Sequence, residues 1–266
     1  MVSDRVLGDR ASGTAPPSVQ RYDGFSGQDL AHRFGLPRVD ALDTTGSTLD
    51  VAHDLASRGG AAGTLVLADE QTAGRGRAGG HWRSDRGAGV WLTLIERPGD
   101  IEALGVLSLR IGLALAPVLE AFTAEAVGLK WPNDLYAGGR KLAGVLVEVR
   151  WRDGAPEWAA IGVGINVRLP AGETGAAALR PGVNRINVLD VVLPALRGAA
   201  LRGGLLDDRE LAAYSARDVA AGRACTAPVA GIVRGVDRAG ALLVESPSGP
   251  ARVAVRSGSL AFEEVR

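Results

Sequence analysis

Apolar residues along the 266-residue chain change period several times, and the changes mark out its elements. Over residues 102–122, Leu104, Leu107, Ile111, Leu115 and Leu119 recur every three or four positions, which predicts a long amphipathic helix with Pro117 as a kink near its end. Before it, GTLVLADE (63–70) and the run from Val90 to Glu96 are continuous apolar stretches of strand length. TTGSTLDVAHDLASRGG (44–60) reads as a loop feeding a helix: Ser47 and Asp50 form a capping pair, Val51 and Leu55 share a face, and Gly59 ends it. Residues 128–167 predict a meander of three strands, turned at Pro132-Asn133-Asp134, Gly138-Gly139 and Asp153-Gly154. Helical spacing returns over 184–217, with Pro194 as a kink or break, and after Gly222 four or five short strands alternate with Gly-, Pro- and Ser-rich turns.

Together these elements predict an α+β protein. A main unit over 38–220 carries a mixed sheet with helices packed on one face, and a small SH3-like β-barrel follows over 221–266. Residues 1–37, rich in Ser, Gly, Pro and Asp, read as a flexible leader.

Charge narrows the classes of function. Thirty basic residues balance thirty acidic ones with no block of like charge, so the basic footprint of a nucleic-acid binder is missing and no DNA binding is expected. The lone Cys225 rules out an internal disulfide, and His32, His53 and His81 are too scattered to form a Cys/His metal cluster, which suits a cytoplasmic protein. The polar start lacks a signal-peptide core, and VLSLRIGLALAPVLEAF (106–122) carries Arg110 and helical periodicity, so neither secretion nor a membrane span is expected.

QTAGRGRAGGHW (71–82) contains the dinucleotide fingerprint G-x-G-x-x-G at Gly74, Gly76 and Gly79. That fingerprint requires a helix to start at the glycines, whereas here more glycine, a turn and a strand follow. Backbone N–H groups freed by glycine, with the guanidinium forks of Arg75 and Arg77, suit instead a loop that holds a carboxylate and a phosphate together; two solvated turn arginines are the plain alternative. KWPND supplies Lys130, Trp131, Asn133 and Asp134 at a turn, where the Asn and Asp oxygens suit Mg²⁺ carried by a nucleotide, although P-N-D is also an ordinary turn sequence. In KLAGVLVEV, strand parity puts Lys141 on one face with Ala143, Val145 and Val147, at the mouth of a buried site, and Gly144 marks a close approach by a ligand or another backbone.

Read in order, TTGST, EQTAGRGRAGGHW, KWPNDLY, RKLAGVLVEV and IGVGINV resemble the motifs of the biotin protein ligases across about residues 42–168. The resemblance implies a two-step, ATP-dependent reaction: biotin is activated as biotinyl-5'-AMP, then passed to a lysine of a biotin carboxyl carrier protein. It also implies roles for residues. Ser47, Thr48 and Gln71 would bind the ureido head, Gly74, Arg75 and Arg77 would close over biotin and the adenylate, and Trp82 and Gly144 would lie against biotin. Lys141, with Arg75 and Arg77, would act on the reacting groups; Arg77, Lys130, Trp131, Asn133, Asp134, Lys141 and Asn166 would face ATP, with Asn133 and Asp134 near Mg²⁺. Leu49 and Gly80 depart from the family pattern, which often has Asn and a basic residue there. The short stretch before the first motif leaves too little chain for the winged-helix DNA-binding domain of some relatives, so a ligase that is not a repressor is expected, as a monomer or homodimer. The alternatives are a lipoate-type ligase of the same superfamily and a non-catalytic biotin-binding sensor.

Overall fold

The computed structural model describes residues 20–169, 173–246 and 252–262. A short hairpin, β1 (Arg21–Tyr22) and β2 (Phe25–Ser26), leads into α1 (Gly27–Phe34). These residues were expected to belong to a flexible leader, but Tyr22 and Leu30 are buried in the main core and Ser26 caps α1 in a reciprocal box with Asp29. Arg185 anchors the hairpin through Asp23 and also pairs with Asp69 at 2.6 Å, a tie between distant segments that composition does not reveal. The first nineteen residues of the expected leader lie outside the described residues.

Then follow β3 (Val39–Thr45), α2 (Thr48–Ser57), β4 (Leu65–Gln71), β5 (Gly89–Glu96), α3 (Ile101–Leu119), β6 (Val127–Lys130), β7 (Asp134–Ala137), β8 (Arg140–Arg152) and β9 (Ala155–Asn166). They form a seven-stranded sheet in the order β3-β4-β5-β9-β8-β7-β6. Only β3 and β4 run parallel, joined by α2, so the sheet is mixed as predicted. The meander turns where the sequence suggested, yet three turns delimit four strands rather than three.

Helices cover both faces of this sheet, not one. Leu65 and Leu67 of β4 and Leu92 and Leu94 of β5 join the large core under α3 and α4 (Arg185–Ala200). Val66 and Ile95, of opposite parity, pack with Leu49, Ala52 and Ala56 of α2 in a second cluster. The short apolar runs of these strands are thus explained by burial on two sides. α4 runs on through Pro194, and the break expected there comes after Ala200, before α5 (Asp208–Ser215). α3 is long and apolar enough to cross a membrane, but it is a core helix whose Arg110 is held by Glu210 at 2.7 Å.

The C-terminal strands β10 (Ala224–Ala227), β11 (Gly231–Val236), β12 (Leu242–Glu245), β13 (Arg252–Val255) and β14 (Ala261–Phe262) form an antiparallel sheet in the order β13-β12-β11-β10-β14. Among the described residues no pairing joins β13 to β14, so the expected barrel stands as an open sheet. Cys225, Val233, Leu242 and Val244 belong to the same core cluster as α3, and Trp131 Nε1 donates to Gly240 O at 3.0 Å. Trp131→Phe keeps the buried ring and leaves that carbonyl unpaired; about 1–3 kcal/mol of stability should be lost in urea unfolding.

Candidate functional site

A cleft of about 210 Å³ opens where the start of α2, the loop after β4 and the middle of β8 and β9 meet. At one end, α2 begins at Ser47, whose hydroxyl accepts from Leu49 N as the helix cap. The next residue, Thr48, donates its N–H to Gln71 Oε1 at 2.9 Å and its hydroxyl to the same oxygen at 3.1 Å, while Thr93 donates to Thr48 Oγ1 at 2.8 Å. Gln71 Nε2 in turn donates to Ser84 Oγ at 2.8 Å. Ser47 and Thr48 are buried, and Gln71 is orientated on both sides by this network. The amide flip of Gln71 follows from its partners, since the Thr48 N–H can only donate.

The floor is made of glycine. Gly144 of β8 lies opposite Gly164 of β9, and Gly162 opposite Leu146. A Cβ on Gly164 would come within 2.6 Å of the Trp82 indole, and one on Gly144 within 3.1 Å of the same ring, so Trp82 lies flat where two side chains are missing. The approach expected at Gly144 is therefore that of an aromatic ring. Trp82 also meets Trp91 edge-on, with centroids 6.4 Å apart. Gly162 plays the matching part for Leu49, whose side chain sits 3.3 Å from the Cβ position. Alternating glycines inside an apolar strand, G-V-G in IGVGINV, were the signal for Gly162 and Gly164, which the sequence reading did not select. Ser259, contributed by the C-terminal segment, lines the cleft with no sequence signal at all.

Lys141 reaches the cleft for a reason that strand parity misjudged. The β7–β8 register shifts between Leu135↔Ala143 and Tyr136↔Lys141, leaving Leu142 as an extra residue. This bulge moves Lys141 to the face of Gly144 and Leu146, and turns Leu142 into the core with Ala143 and Val145. Its Nζ sits 2.7 Å from Asp134 Oδ1 and 4.9 Å from the centre of the Trp82 ring. Asp134 is the one carboxylate among the described residues lining the cleft, and it faces three cations: Lys141, Arg77 and Lys130. Burial holds Lys130 below the usual lysine range, with Asp134 opposing and Lys141 and Arg223 adding to the shift. Burial likewise lowers Arg77, again opposed by Asp134.

The two loop arginines differ. The loop closes on itself through Gly76 N to Gly80 O at 2.7 Å and Trp82 N to Gly74 O at 2.8 Å, with Ala78 in the left-handed region at φ 52°. Gly74 is packed so closely against the Trp82 carbonyl that a Cβ would lie 2.3 Å from it. Arg77 faces the cleft and makes no ion pair within 4 Å among the described residues. Arg75 is occupied instead by Asp50 at 2.9 Å and Glu148 at 3.1 Å, so the picture of two equivalent free cations is corrected.

Three other predicted residues have structural surroundings. Trp131 lies outside the cleft, beneath Gly240. Asn166 is buried and bonds Ala177 O at 3.1 Å and Lys141 O at 3.4 Å, beside Lys141 but outside the main cleft. Asn133 lines the cleft, but its amide donates to Val145 O at 2.7 Å and fixes the turn. No group of three or more His, Cys, Asp or Glu among the described residues is placed to hold a metal ion. Asp134 alone fits a cation that brings most of its own ligands, as Mg²⁺ on a nucleotide does.

Comparison with known proteins finds a match of residues 42–166 to the model of the biotin/lipoate A/B protein ligase family. The chain is 36% identical over 229 residues to the bifunctional ligase/repressor BirA of Escherichia coli, covering 79% of this chain and 68% of that one. It is 35% identical to the biotin--[acetyl-CoA-carboxylase] ligase of Paracoccus denitrificans, over 69% of this chain and 85% of the relative. Against BirA of Bacillus spizizenii the identity is 40%, but the match spans only 39% of that protein's length. Among solved structures, the biotin protein ligase of Aquifex aeolicus in complex with biotin and ATP superposes with a TM-score of 0.66 at 23% identity, over 85% of this chain and 98% of that one, a likeness of fold.

Proposed function

Since the chain belongs to the biotin protein ligase family, we propose that it activates biotin with ATP and transfers the biotinyl group to a lysine of a biotin carboxyl carrier protein in the cytoplasm. The observation that supports this best is the order of groups along the cleft: a preset polar cluster, a glycine floor under Trp82, then the cations Lys141 and Arg77 around Asp134, with Lys130 on the far side of Asp134 outside the cleft lining. The ureido head binds at Ser47, Thr48 and Gln71. Thr48 and one side of Gln71 already have partners, so the Ser47 hydroxyl and the second N–H of Gln71 Nε2 are the donors that meet the ureido carbonyl. The apolar part of biotin lies between the Trp82 side and Leu49, and its carboxylate lies beside Lys141.

In the first step a carboxylate oxygen attacks the α-phosphorus of ATP, the new O–P bond forms, and pyrophosphate leaves with the electrons of the broken P–O bond. Two anions must meet, and Lys141 and Arg77 offset the charge that builds on the phosphoryl oxygens. Asp134 holds Lys141 in place and helps carry Mg²⁺, which neutralises phosphate charge when bound. In the second step the neutral amine of the carrier lysine attacks the acyl carbon; AMP leaves and the amine loses a proton. Lys130 binds the phosphate end of ATP. Because its pKa is depressed, its charge is lost earlier as pH rises, so kcat/KM for ATP should fall on a limb below the ordinary lysine value of about 10.4. Lys130→Arg should remove that limb.

Arg77→Ala removes a cleft-lining cation that has no ion pair among the described residues, and should speed escape of biotinyl-AMP by about tenfold or more. Retention of the intermediate on a filter or gel column measures it, and an unchanged half-life would contradict the clamp role. The lipoate alternative is tested by ATP–pyrophosphate exchange with each acid in turn. The Ser47 hydroxyl and the Gln71 amide N–H suit a ureido group and offer little to a dithiolane, so exchange is expected with biotin alone.

A further inference from the structure

We propose that His53 and Glu148 are positioning residues for the glycine-arginine loop, acting through Arg75, and that they set how long the activated acyl group stays in the cleft. The part concerning the acyl group rests on the ligase reading; the part concerning the loop does not. Trp158 Nε1 donates to His53 Nδ1 at 2.9 Å, and an indole N–H can only donate. Nδ1 is therefore the acceptor, and the ring proton sits on Nε2, which donates to Glu148 Oε2 at 2.8 Å. The same Oε2 receives Arg75 at 3.1 Å, and Asp50 pairs with Arg75 at 2.9 Å.

The chain of contacts starts from a fixed point. Trp158 is buried in the second core cluster beneath α2, and Arg97 lies 6.0 Å over its ring while bonding the backbone at Ala56, Gly60 and Glu157. Asp50 and His53 lie three residues apart on α2 and so share a face, on the same helix that begins with Ser47 and Thr48. One helix thus carries the polar end of the cleft and the anchor of the loop that covers it. Binding at Ser47 and Thr48 steadies α2, and α2 steadies Arg75 through Asp50 and through Glu148. No side chain of this network other than that of Arg75 lines the cleft among the described residues, which makes His53, Glu148 and Trp158 positioning rather than catalytic groups.

The test reads the loop directly. Amide hydrogen exchange at Gly76, Gly80 and Trp82 reports whether the loop's own bonds are kept, independent of any activity. His53→Ala and Glu148→Gln should speed that exchange about tenfold, the effect of losing one charge-assisted hydrogen bond. Trp158→Phe, which keeps the buried ring and removes only the N–H, should do so to a smaller extent. His53→Gln, whose amide can accept from Trp158 and donate to Glu148, should restore slow exchange. Release of biotinyl-AMP should follow the same order among the variants. Unchanged exchange in His53→Ala and Trp158→Phe, or a Gln variant no better than Ala, would overturn the proposal. A wild-type protein that forms no biotinyl-AMP would instead overturn the ligase reading, and the order of exchange rates would still decide the loop's anchor.

Discussion

Lys141→Ala should slow formation of biotinyl-AMP by about a hundredfold to a thousandfold while changing biotin affinity little, because a fixed cation acts most strongly where charge develops in the transition state. The lysine is held for this task. Asp134 at 2.7 Å fixes its ammonium, the Trp82 ring 4.9 Å away shields one side, and the bulge at Leu142 aims the side chain at the cleft instead of the core. The polar cluster proposed for the other end of biotin, Thr48 of α2 with Gln71 of β4 and Thr93 of β5, is built from other elements than β8 and is untouched by the substitution. Single-turnover pyrophosphate release and equilibrium biotin titration, run on the same preparation, separate the two effects. A variant with near-normal release would remove Lys141 from the reaction.

Gly164→Ala should raise the Kd for biotin about tenfold or more, since a single methyl forces the Trp82 ring off the sheet and reshapes an apolar wall. The backbone at this position is an ordinary strand paired to Gly144, which alanine adopts without strain. The obstacle is the indole, 2.6 Å from where the Cβ would stand. Relief must come from the ring itself, so Trp82→Phe combined with Gly164→Ala should recover part of the lost affinity. Thermal unfolding of the single variant should change far less than binding does. Equal losses in both, with no recovery in the double variant, would mean that Gly164 serves the sheet and not the cleft.

Much of this arrangement was legible because local chemistry and fold agree. Ser47 caps the helix that it was expected to cap, the loop after β4 leads into an antiparallel strand and not a helix, and the turns at Gly138-Gly139 and Asp153-Gly154 fall where they were read. What escaped was set by tertiary pairing. A bulge cannot be read from strand alternation, so Lys141 was placed on the face of its core neighbours. Arg75 and Arg77 look alike in sequence, but only one has Glu148 and Asp50 within reach. Trp131 stands in a motif of cleft residues and yet faces away, because the C-terminal sheet supplies Gly240 O as its partner. Residues 20–37 looked like a tail because their polar composition hides three buried side chains, Tyr22, Leu30 and Leu36, that secure them.

The central claim, an ATP-driven transfer of biotin to a protein lysine, is tested most directly by incubating the purified protein with Mg-ATP, biotin and a biotin carboxyl carrier domain and weighing the carrier by mass spectrometry. The account predicts one added biotinyl group on a single lysine, dependent on ATP and absent with Lys141→Ala over the same time. An unmodified carrier, with biotin bound and no pyrophosphate released, would contradict it and leave a biotin-binding sensor in its place.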